Sequence, residues 1–124
     1  MKSAVELLAG LALIVVPALA VSFVIGQPLS EPDGVVLGRI AGVVLLALGI
    51  ACWLARNESQ NRAAISLIWV LLFYDVSVVL TLLFVHVRIA LGGIGLWPAV
   101  ALHSGLGVWS LVCLREVTRR VVPT

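Results

Sequence analysis

Charge is what this sequence holds least of: Asp, Glu, Lys and Arg make up 11% of its 124 residues, against about 25% in an ordinary soluble domain. That scarcity, beside a hydrophobic fraction of 62%, excludes the soluble classes. The net charge of +2 gives no footing for nucleic acid or an acidic partner. Cysteine is nearly missing as well. Cys52 and Cys113 form no CxxC and have no histidine at ligand spacing, which argues against a disulfide framework or a thiol redox centre and leaves them as small packing residues. There is no cluster of metal-ligating residues, no glycine-rich phosphate loop opening a helix, and no Ser, His, Asp order with an oxyanion element. Neither a metal nor a cofactor is expected. No polar stretch is long enough to serve as a linker, so residues 1–124 read as a single domain.

What the chain does have is long apolar runs. A hydrocarbon core of roughly 30 Å is spanned by about 20 residues rising about 1.5 Å each, and runs of that length lie at about 4–25, 35–54, 64–85 and 95–114. The first resembles a secretory signal, with Lys2 ahead of it and an A-x-A site at Ala18 to Ala20. Its apolarity continues through Phe23 and Ile25, so a retained first span is expected, kinked where Pro17 removes a backbone donor. Gln27 to Gly34 reads as a turn. The second run carries Gly38, Gly42 and Gly49 on one face, a seam that admits a neighbouring backbone closely. Ala55 to Ala63 is short and polar, as a tight hairpin requires. The third run, AISLIWVLLFYDVSVVLTLLFV, carries Asp75 at its midpoint. Roughly fourteen strongly apolar residues at about −0.3 to −0.6 kcal/mol each outweigh the roughly +2.5 to +3.5 kcal/mol of one central Asp, so the helix inserts. After a glycine-rich loop at Gly92 to Gly95, Trp97 and Pro98 open the last span, and a basic tail follows.

These observations predict an all-α fold, an integral membrane antiparallel four-helix bundle. Lys2, Arg56, Arg62, Arg115, Arg119 and Arg120 fall on one side, and Arg39 and Arg88 on the other. That asymmetry places both termini in the cytoplasm of a bacterial-type inner membrane.

The stretches Gly38 to Arg56, Leu71 to Asp75 (LLFYD) and Leu96 to Trp109 resemble those of small bacterial four-helix membrane proteins of the DoxX-like group. The resemblance implies the fold and supplies no activity.

Titratable groups inside a span must turn away from lipid and so carry functional expectation. They are Asp75 and His103, with Arg39, His86 and Glu6 nearer the surface. By helical rise His103 lies about 9 Å and Asp75 about 16 Å deep, a gap that side chains and tilt must close if they meet. His103 shares a small, polar face with Ala99, Gly107 and Ser110. A pocket opening outward beneath the glycine-rich loop is expected, with Asp75, His103, Arg39, Tyr74 and His86 as its ligand-binding residues. Gly38, Gly42, Gly49 and Gly107 are expected to serve helix packing. The expected role is non-enzymatic, binding a lipid, a quinone-like molecule or another hydrophobic compound, or serving as accessory to a second copy or another membrane protein. The alternatives are a carrier that trades a proton on Asp75 for substrate, and a lipid-modifying enzyme with His103 as base. Against all of these stands the plain reading in which Asp75 and His103 merely hold helices together.

Overall fold

A proline forces the residue before it out of the α region, and Pro17 does so to Val16, whose φ and ψ are −131° and 59°. In the computed structural model, which describes residues 2–28, 31–57 and 62–121, the chain therefore forms two helices where one kinked helix is expected. These are α1 (Lys2–Val15) and α2 (Pro17–Ile25), bent by 115° at the break. Pro17 starts α2 at the position where its missing N–H does no harm. Gly26 closes it in the left-handed conformation, donating its N–H to the Ser22 carbonyl at 2.8 Å.

The third helix, α3 (Pro32–Leu54), begins earlier than the apolar pattern suggests. Glu31 is extended, Pro32 occupies the first turn and Asp33 adds a carboxylate there, all favourable at a helix N-terminus. Of the expected turn, Leu29 and Ser30 lie outside the described residues. A 3-10 turn, Ala55–Asn57, follows α3, and Arg56 folds back to donate to the Trp53 carbonyl at 2.8 Å and stack on its indole. The rest of the expected hairpin, Glu58 to Asn61, lies outside the described residues.

The last two helices are α4 (Arg62–Ile89) and α5 (Leu96–Val121). Each outruns its apolar run. His86 and Arg88 occupy the last turn of α4, and the basic segment after Leu114 continues α5 as helix, with Glu116 and Arg120 paired one turn apart. Residues 122–124 lie outside the described set. The chain is all-α, and α3, α4 and α5 are long and apolar enough to cross a membrane, a count that becomes four if α1 and α2 form one broken span.

Burial is inverted relative to a soluble domain. Leu8, Phe73, Val87 and Ile94 are strongly exposed, while Glu6 and Asp75, each 1% exposed, and Ser110 are buried. Beside these polar groups the interior holds Leu71, Leu96, Leu106 and Leu114, and so many large apolar side chains facing outward suit hydrocarbon as the solvent.

The helices associate mainly in two antiparallel pairs, α1 with α3 and α4 with α5. The first pair is a backbone contact. A Cβ added to Gly10 or to Gly42 would lie 2.8 Å from the other's carbonyl oxygen, and one added to Gly49 would lie 2.8 Å from Leu7 Cγ. Gly42 and Gly49 thus face α1 at its closest approach, while Gly38 is half-buried. The pairs are joined by α2, whose last carbonyls accept from the loop before α5: Gly93 N–H donates to Val24 at 2.9 Å and Gly95 N–H to Phe23 at 2.8 Å. A Cβ on Gly93 or Gly95 would collide with the Phe23 carbonyl or ring, which is why this loop is rich in glycine.

Candidate functional site

The glycine at position 107 sets the register of α4 against α5. A Cβ there would lie 3.6 Å from Asp75 Cβ, so the α5 backbone rests against the middle of α4. His103 stands one turn nearer the loop, and its Nδ1 lies 2.9 Å from Asp75 Oδ1. The apparent depth mismatch closes because Asp75 is level with Gly107 and the His103 side chain spans the remaining turn. Asp75 is shut away from the surface, and the His103 side chain retains 14% exposure. The Tyr74 ring packs edge-on to the imidazole, with centroids 5.6 Å apart.

Asp75 and His103 form the polar floor of a groove of about 270 Å³ between α4 and α5, whose walls include Leu72, Val76, Val79 and Val108. The groove opens sideways from the middle of the two helices. Arg39 and His86 do not line it. Arg39 is exposed on α3. His86 is exposed near the end of α4, where it packs edge-on to Trp97 with centroids 5.4 Å apart. Of the five residues expected around one ligand, Asp75 and His103 line the groove, Tyr74 packs on the imidazole without lining it, and the other two stand apart.

Glu6 is the buried acid that sequence reasoning left out of the site. Four residues after Lys2 it reads as interfacial, yet it is as buried as Asp75. The available signal was its position as an acid inside an apolar run, the same criterion that singled out Asp75. Ser104 also lines the groove, and three hydroxyls nearby are satisfied locally: Ser77, Thr81 and Ser110 each donate to a carbonyl of their own helix. Cys52 and Cys113 form no disulfide, and both are half-buried. Among the described residues no group of three or more His, Cys, Asp or Glu is arranged to hold a metal ion.

What the site offers chemically is an imidazole fixed by a carboxylate. With Asp75 accepting from Nδ1–H, the neutral ring presents Nε2 as an acceptor. The surrounding walls are aliphatic, so a hydrogen bond made there competes little with water.

No family model, no curated protein and no solved structure matches this chain.

Proposed function

We propose that the chain is a small multi-pass membrane module, of the DoxX-like kind, that binds a hydrophobic molecule in the groove between α4 and α5. In this reading α1 and α2 together form a fourth, broken span, the protein sits in a bacterial-type cytoplasmic membrane, and both termini are cytoplasmic, as the distribution of basic residues favours. The carrying observation is the Asp75–His103 contact of 2.9 Å at the floor of an aliphatic groove. Nε2 accepts a hydrogen bond from the ligand's head, a hydroxyl such as that of a quinol. The apolar body of the ligand lies along Val76, Val79 and Val108.

The direct test is organic extraction of the purified full chain followed by mass spectrometry. Wild type is expected to carry about one equivalent of a hydrophobic compound. A hydrogen bond between neutral partners contributes roughly 0.5–1.5 kcal/mol, so Asp75→Asn and His103→Ala should each lower retention by about two- to tenfold. Undiminished retention in both variants contradicts the reading.

A second reading is favoured by Glu6. Two buried carboxyl groups on different helices suit a carrier that couples substrate movement to protons. It expects uptake into proteoliposomes to depend on a pH gradient and to be lost in Asp75→Asn. A flat response to the gradient removes it.

A further inference from the structure

Arg115 and Arg119 stand one turn apart on α5, and with Thr118, Leu114, Leu111 and Trp69 they line a second groove, of about 440 Å³. Both arginines are exposed. Their neighbour Arg120 pairs with Glu116 at 3.4 Å, whereas Arg115 and Arg119 make no ion pair among the described residues. Like charges four residues apart on a helix repel, and an anion seated between them reverses that penalty. Guanidinium groups present donors in a fork that matches phosphate oxygens. The surface next to the charges is apolar, built from Leu111, Leu114 and Trp69, and tryptophan favours the level of lipid headgroups.

We infer that this groove seats an anionic phospholipid, its phosphate between Arg115 and Arg119 and one acyl chain along Leu114 and Leu111. The groove has a direction that a soluble anion would not use. Leu111 lines both this groove and the one above Asp75 and His103, so an apolar path runs from the arginines toward the middle of the bundle. Charge selects the head, and the aliphatic floor selects a molecule with a chain. The inference requires that α4 and α5 cross a bilayer, and it does not depend on what the central groove binds.

Native mass spectrometry of the full chain in detergent micelles, titrated with dioleoyl phosphatidylglycerol or dioleoyl phosphatidylcholine, tests it. Wild type should bind the anionic lipid about tenfold more tightly than the zwitterionic one. Arg115→Gln with Arg119→Gln should abolish that preference, while Arg39→Gln with Arg88→Gln, which removes the same charge elsewhere, should preserve it. Thr118→Trp keeps both arginines but fills the groove and should weaken phosphatidylglycerol binding several-fold. Asp75→Asn should leave it unchanged, which separates this site from the central one. Equal affinity of wild type for the two lipids overturns the inference. So does undiminished phosphatidylglycerol binding in the double Gln variant or in Thr118→Trp, or a loss in Arg39→Gln with Arg88→Gln as large as that in the double Gln variant.

Discussion

The two helix pairs are held together by different physics. Between α1 and α3 the contact is backbone on backbone, with Gly10 and Gly42 leaving no room for a methyl group. Between α4 and α5 the approach is looser. A Cβ at Gly107 would make only ordinary contact, and a carboxylate and an imidazole span the gap. Close packing over small residues is the main source of helix association where lipid is as apolar as the side chains. The α1–α3 pair therefore acts as the clamp. The α4–α5 pair gives up some packing for a groove with hydrogen-bonding capacity at its floor, which is where the proposed ligand would sit.

Substitutions that treat the two pairs alike should give unlike results. The largest effect is expected from Gly42→Ala, whose new methyl meets the Gly10 carbonyl and the Leu13 and Ile14 side chains. Overpacking of this kind costs about 1–3 kcal/mol and should appear as a clear drop in Tm in detergent. An unchanged Tm would show that α1 does not lie on α3 in this register. Next in size is His103→Ala, which removes the imidazole from a buried carboxylate. Hydrogen bonds between membrane helices average about 0.6 kcal/mol and reach about 1.7, so stability should fall modestly while ligand retention falls by up to about tenfold. Equal proportional losses would favour the plain packing role. The smallest effect, of opposite sign, is expected from Gly105→Ala on the open face of α5. A Cβ there meets nothing within 4 Å, and replacing a mid-helix glycine by alanine gains about 0.5–1 kcal/mol. Destabilisation by Gly105→Ala would mean that this face is covered in the membrane.

The joint between the pairs makes a separate prediction. Gly95→Ala should drive a methyl into the Phe23 ring and release α2 from the loop. Hydrogen exchange of the Gly93 and Gly95 amides would then quicken, with little change in the α4–α5 contact. Protection unchanged at both amides would contradict the docking of α2.

The apolar runs, the close-packing glycines of α3 and the candidacy of Asp75 and His103 were legible in the sequence, because each rests on a local rule of length, spacing or desolvation; that the last two meet was not, since the contact joins residues on different helices. Legibility failed where the outcome depends on partners far along the chain. Pro17 announces a disturbance, but a kink and a 115° break obey the same local rule. The break persists here because α2 finds hydrogen-bond donors in Gly93 and Gly95, residues about seventy positions away. Glu6 was read by its distance from the N-terminus, although burial depends on how α1 tilts against its neighbours. Arg39 was assigned to the site from its position one turn inside α3, and nothing in the sequence says which way that face turns. The tail after Leu114 reads from its sequence only as basic, yet Glu116 and Arg120 at helical spacing are the pattern of a helix that continues.

The account turns on α4 and α5 meeting at Asp75 and Gly107 inside the membrane. The Cβ separation of 3.6 Å there falls within the range of a disulfide. Oxidation of Asp75→Cys with Gly107→Cys in native membranes, with Cys52 and Cys113 replaced by Ala, is therefore the most direct measurement. Near-complete intramolecular cross-linking is expected, with none for Phe73→Cys with Gly107→Cys, since Phe73 is 75% exposed. Failure of the first pair to cross-link, or equal cross-linking of both, would contradict the site as described.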